Sequence, residues 1–145
     1  MPAPAAMLPS LLGTPAQISA ALAISPDGTR LATSRNVGPG GFGEVVVWDS
    51  KSGQELLTLK GHTATVSSIV YSPDGKRLMS ASGNPTGGST GEIKVWDAAS
   101  GLELLTIPGG AYGHQVVLSP DGHWLPSRAR GTLKIYDATP LPEKP

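Results

Sequence analysis

The sequence predicts an all-β protein built from about three copies of one four-stranded antiparallel meander. The tetrapeptide Ser-Pro-Asp-Gly occurs three times, at residues 25–28, 72–75 and 119–122, at equal intervals of 47. A second marker follows each copy, an apolar stretch closing on an aromatic and an Asp: VVVWD ending at Asp49, IKVWD at Asp97 and LKIYD at Asp137. The 145 residues also include 19 Gly and 14 Pro, a density of turn formers that leaves little room for long helices. A fixed period of this size means that one supersecondary unit is stacked repeatedly, each copy too small to bury its own faces.

Each element follows from local chemistry. Residues 22–24, 69–71 and 116–118, just before each SPDG, are apolar throughout, as a strand covered on both sides should be. SPDG is a turn with a mechanism: Pro presets φ, Asp bonds back to nearby backbone, and Gly takes the positive φ that closes a hairpin. A second strand is expected at 30–34 and 77–81, and a third, with period-two alternation, at 45–48 and 93–96. Asp49, Asp97 and Asp137 then form the next turn. SGQELLTL (52–59) and SGLELLTI (100–107) lead into a fourth strand at 55–59 and 103–107.

Composition excludes several functions. Eleven basic and eleven acidic side chains cancel, so neither nucleic acid nor an anionic membrane surface is an expected partner. Cysteine is absent, which removes disulfides, thiolate metal sites and a cysteine nucleophile. No run approaches the ~18 apolar residues of a membrane span. Residues 1–13 have no Lys or Arg and are interrupted by Pro2, Pro4 and Pro9, which suits neither a secretory leader nor an anchor. The expected location is the cytoplasm.

Gly61-His62 ahead of an inner strand, the three SPDG turns, and Trp48-Asp49 and Trp96-Asp97 closing third strands carry a resemblance to the WD40 repeat family of β-propellers, with bacterial-type repeats. GHTATVSSIVYSPDGKRLMSAS…GEIKVWDAASGLELLTI is similar to the family's consensus, and the likeness spans about residues 7–137. The resemblance implies propeller blades, about three of them, forming an incomplete ring as a monomer. The organisation expected is a flexible N-terminal tail at 1–6, an N-terminal strand plus blade 1 at 7–60, blade 2 at 61–107, a partial blade 3 at 108–137 and a C-terminal tail at 138–145. It also implies a bracing set in each blade of His, strand Ser or Thr, turn Asp and Trp. The middle blade offers His62, Ser80 or Ser82, and Trp96, without the turn Asp. Blade 1 has Thr14 at the His position with Trp48, and blade 3 has Tyr136 for Trp with Arg130 near the Asp position. With no complete set, burial is expected to supply most of the stability.

Two departures bear on binding. From the SPDG Gly to the closing aromatic the distance is 20 residues in blade 1, 21 in blade 2 and 14 in blade 3. The extra length falls in RNVGPGGFGE and GNPTGGSTGE, expected as enlarged surface loops on the GH-loop face, with Arg35, Asn36, Phe42 and Asn84 as candidate partner contacts. In HWLPSRARG, Pro126 lacks the N–H a paired strand needs, so a bulge or poorly paired stretch is expected there.

Catalytic readings find no support in the pattern. Asp27, Asp74 and Asp121 recur in identical turns, as structural residues do. His62, His114 and His123 have no metal-ligand spacing, and no Ser sits in a nucleophile elbow. GPGGFGE (38–44) is not followed by a helix or a phosphate-binding Lys. No cofactor is expected. The expected function is a non-catalytic protein-interaction scaffold whose protein partner the sequence does not name. The alternatives are a self-assembly module in which a homodimer closes six blades, or a segment of a longer WD40 protein, some of which carry kinase domains. In the homodimer, residues 7–12, placed before the first inner strand as ELLTLK precedes the second, would supply the outer strand of blade 3.

Overall fold

A computed structural model describes residues 18–38, 42–83, 91–108, 115–129 and 132–139. The expected outer strand at 7–12, Thr14, Asn84, His114 and Arg130 lie outside these residues. The described chain is all β, in three antiparallel sheets that follow one another along the sequence. The first sheet holds β1 (Ile18–Ile24), β2 (Arg30–Val37), β3 (Phe42–Asp49) and β4 (Glu55–Leu59) in sequential order. The second repeats this with β5 (Val66–Tyr71), β6 (Arg77–Ser82), β7 (Glu92–Asp97) and β8 (Glu103–Pro108). The third has β9 (Gln115–Val116), β10 (Trp124–Ala129) and β11 (Thr132–Asp137). The sheets are open, and each is one blade.

The SPDG turns behave as their chemistry dictates, with one part the sequence reading did not assign. Gly28, Gly75 and Gly122 have φ of 74, 72 and 78°. Asp27 accepts the Thr29 N–H at 2.9 Å, and the Ser25 hydroxyl donates to the same carboxylate at 2.7 Å. Ser25 Oγ also accepts the Arg30 N–H at 3.0 Å, so the serine bridges turn and strand. Ser72 and Ser119 do the same in the other blades. Asp49 and Asp97 cap the next turn, each accepting two backbone N–H groups and a serine hydroxyl, while Asp137 accepts the Thr139 N–H.

The register pairs Leu31 with Trp48, Leu78 with Trp96 and Leu125 with Tyr136, which fixes the equivalence of positions between blades. Two cores lie between the blades. In the first, Ile69, Tyr71, Leu78 and Trp96 of blade 2 pack against Ala32, Val45, Val47 and Leu59 of blade 1. In the second, Val116 and Leu125 of blade 3, with half-buried Leu118 and Tyr136, pack against Met79, Ala81, Ile93 and Val95 of blade 2. Period-two alternation therefore sorts side chains between two neighbours and does not separate core from water. In β7 of blade 2, Val95 packs in the second core and Trp96 in the first, and both are buried for this reason.

Two expectations need correction. RNVGPGGFGE is mostly strand: Arg35 pairs with Glu44, Asn36 with Gly43 and Val37 with Phe42, extending the hairpin. The cross-strand Arg35–Glu44 ion pair at 3.0 Å and the apolar Val37–Phe42 pair hold the extension together. Pro126 produces no bulge against β11, where pairing runs without a shift from Trp124 to Ala129. The loss falls on its other side. Trp124 C=O accepts the Ser119 N–H, so by alternation Pro126 also faces the inner strand, opposite Val117. With no N–H to offer Val117, pairing begins only at Ser127, and β9 is reduced to two residues.

At Gly43 the first two blades meet backbone to backbone. Its N–H donates to Ala64 C=O at 3.0 Å. A methyl in place of its hydrogen would lie 2.6 Å from Val66 Cγ2 and 2.7 Å from Ala64 O. Gly43→Ala is expected to destabilise the chain by about 1–3 kcal/mol, read as a lower urea midpoint. An unchanged midpoint would show that this contact is not part of the folded state in solution.

Candidate functional site

The middle blade contains a buried hydrogen-bonded chain built from three strands and the GH turn. Gly61, at φ 132°, brings His62 under the sheet, where it is 3% exposed. Trp96 Nε1–H donates to Ser80 Oγ at 2.8 Å, and Ser80 Oγ lies 2.6 Å from His62 Nε2. The indole can only donate, so Ser80 accepts from it, and its own O–H donates a hydrogen bond to His62 Nε2. His62 Nδ1–H then faces Ser82 Oγ at 2.9 Å and Glu92 Oε1 at 3.4 Å. This tautomer follows from the network's donors and acceptors. No turn Asp takes part; both serines do, and the Glu92 carboxylate lies 3.4 Å from Nδ1. Lys94, 6% exposed, is paired with Glu103 at 2.9 Å and Thr106 at 2.8 Å on the same face.

Blade 1 solves the same problem differently. Trp48 Nε1–H donates to Thr33 Oγ1 at 2.9 Å, the position of Ser80. Arg35 stands where Ser82 does in blade 2. Its guanidinium bonds Glu44, the counterpart of Glu92, and lies 3.7 Å from Glu55. Blade 3 offers Tyr136, half-buried against the second core.

The candidate contact residues therefore separate. Arg35 is engaged within the blade. Asn36 is half-buried, and its Oδ1 is buried with no hydrogen-bond partner. Phe42 is 55% exposed, beside Val37 at 42%, a residue that composition alone did not single out. A hollow of about 530 Å³ opens here, lined by Arg35, Asn36, Val37 and Glu44 among others.

A second concavity of about 290 Å³ lies between the first two SPDG turns and is lined in part by Arg30, Tyr71 and Asp74. Tyr71 Oη is buried there without a hydrogen-bond partner, and burial pushes its pKa up to about 12, so it stays a neutral phenol. His62 is equally unsuited to proton transfer, because both ring nitrogens are occupied and no solvent reaches it. Among the described residues no three His, Asp or Glu side chains lie close enough to hold a metal ion. Among them, too, no helix is long and apolar enough to cross a membrane.

Burial, reinforced by the Lys94 ammonium, pushes the His62 pKa down to about 4 from 6.5. Below pH 6.5 the unfolded chain takes up a proton that the folded blade refuses. Stability is therefore expected to fall as pH drops from 6.5 to about 4, by roughly 3 kcal/mol, and His62→Gln should flatten that slope in urea titrations. The turn carboxylates, held low by serine and backbone hydrogen bonds, lose their contribution only below the ordinary Asp range. Ser80→Ala strands the Trp96 N–H and should cost about 1–3 kcal/mol, measured at pH 7.

Similar proteins place this geometry in a family. The family model "WD domain, G-beta repeat" matches residues 53–97. Coronin-7 of Bos taurus is 32% identical over 102 residues, covering 67% of this chain and 11% of that protein. Intraflagellar transport protein 122 homolog of Xenopus tropicalis is 39% identical over 59 residues, 41% of this chain and 4% of that one. Centriole proteome protein 16 of Chlamydomonas reinhardtii is 46% identical over 50 residues, 30% of this chain and 2% of that one. The chain thus spans about a tenth or less of the length of these relatives. Among solved structures, hydrazine synthase of Kuenenia stuttgartiensis superposes with a TM-score of 0.66 at 27% identity, covering 81% of this chain and 33% of that chain. The repeat markers, the blade registers, the GH–Ser–Trp brace and these likenesses agree: the chain is built of WD40 repeats, about three consecutive blades of a β-propeller.

Proposed function

We propose that the chain is a non-catalytic protein-interaction scaffold, and that it grips its partner through the tip of the β2–β3 hairpin. One observation carries this reading. The extended hairpin presents Val37 and Phe42 side by side in solvent. The apolar pair gains by leaving water against an apolar patch of a partner. Arg35, clamped by Glu44 and Glu55 at the base of the tip, keeps the hairpin preorganised, so little conformational entropy is lost on binding.

A non-catalytic role is supported by the chemistry of the titratable groups. The SPDG carboxylates recur in three identical turns and are consumed in holding them. His62 and Tyr71 are held neutral by burial. A cytoplasmic setting belongs to the same proposal.

Proteins captured by the native chain should be identified and the binding of a purified one titrated. Replacing Phe42 by Ala and Val37 by Ser together is expected to weaken that binding about tenfold or more, with the unfolding midpoint little changed because both side chains are exposed. Unchanged affinity in the double variant would overturn the hairpin as the contact.

A further inference from the structure

The two junctions use the same repeat positions, but one corner that is filled in the first stands open in the second. In blade 1 the outer strand β4 presents Leu57 and Leu59 to the turn that follows Asp97 of blade 2. A methyl on Gly101 in that turn would lie 3.0 Å from Leu59 Cδ2 and 3.6 Å from Leu57 Cδ2. Leu59 is 3% exposed, and Leu57 is half-buried against the first core. The register sets Leu57 opposite Val47 and Leu105 opposite Val95, so the equivalents on blade 2 are Leu105 and Ile107. Leu105 is 53% exposed, and Ile107 is only partly buried. A groove of about 490 Å³ runs beside them, walled also by Val95, Leu104, Tyr136 and Thr139.

At the first junction the corner is filled by the chain that leaves the third strand of the next blade. At the second, that chain starts on the same course. Ala138 packs against the second core, and its C=O accepts Arg77 Nη2 at 2.8 Å, as Ala98 C=O accepts Arg30 Nη1 at 3.1 Å. Thr139 then forms part of the groove wall. Pro140, Leu141 and Pro142 follow in the sequence, beyond the described residues. Counted from the aromatic-Asp marker, Leu141 holds the place of Gly101. It cannot copy the glycine's turn at φ 76°, because the following proline confines it to extended backbone. Nor can Pro140 and Pro142 offer the N–H groups of a fourth strand against β11. A leucine thus stands where the first junction has no side chain, and two residues carry the chain up to about 7 Å from Thr139.

We propose that the Leu141 side chain fills the groove between blades 2 and 3, packing against Leu105 and Ile107. The occupant is argued from continuity with the first junction: the wall is the same pair of positions, the chain enters at the same point, and the groove opens where a leucine replaces a glycine. Pro140 and Pro142 hold the segment extended, so little conformational entropy is lost when the leucine seats. Residues 140–142 then pin blade 3 to blade 2 by an apolar plug in place of a tight turn. The plug is independent of the β2–β3 tip, and it is the same whether or not further blades adjoin these.

Methyl NMR on the native chain reads the contact directly. The Ile107 methyl groups are expected to show nuclear Overhauser contacts to a leucine methyl whose signal is lost in Leu141→Met. No contact between Leu141 and either Leu105 or Ile107 would overturn the proposal. Urea titrations test its energy. Leu141→Asp should lower the midpoint, while Leu141→Met should leave it near the native value. Leu105→Ala should lower the midpoint in the native chain, and by roughly half as much or less in the Leu141→Asp chain, where the groove is already empty. Equal losses in the two backgrounds, or an unchanged midpoint in Leu141→Asp, would each overturn the plug.

Discussion

A four-stranded sheet with apolar side chains on both faces cannot be stable by itself, and every other feature of this chain answers that constraint. Blade 2 offers one face to blade 1 and the other to blade 3. The hydrophobic contribution therefore belongs to junctions, and the blade is the unit that places side chains for them. This explains why successive residues of β7, Val95 and Trp96, are both buried, in different cores.

In the middle blade the polar groups that enter this apolar stack are matched by one another. The Trp96–Ser80–His62–Ser82 chain uses each donor once, and the price of burying an imidazole is met by hydrogen bonds at both nitrogens. Blade 1 keeps the indole–hydroxyl bond through Trp48 and Thr33 and replaces the histidine end with an Arg35–Glu44 pair nearer the solvent. The same sheet geometry thus accepts two chemistries at one corner, provided that neither leaves a buried charge alone.

Much of the fold was legible because the signals repeat. SPDG and the aromatic-Asp ending mark turns whose local hydrogen bonds close within a few residues, so sequence suffices to read them. What needed register was not legible. The stretch from Arg35 to Glu44 has the composition of a loop, and only the pairing of Arg35 with Glu44 shows that six of its residues are strand. Ser80 and Ser82 were alternatives in the sequence, and only the geometry shows that both bond His62 and that Glu92 stands beside it. Of the expected contacts, Phe42 is placed in solvent, while Arg35 is spent inside its own blade. Val37 acquires meaning only because it stands opposite Phe42.

Pro126 has an effect that reaches past its own strand. Strands β1, β5 and β9 are the ones that converge from neighbouring blades, and β9 is tied to its sheet at only two positions. Ser68 compensates from the next blade, its hydroxyl bonding both the N–H and the C=O of Val116 at 3.2 Å. The inner strand of blade 3 is therefore held partly by its neighbour. In hydrogen-exchange terms its amides are expected to be less protected than those of β1 and β5, which pair with their sheets at more positions. Its opening would also break both bonds to Ser68 of blade 2.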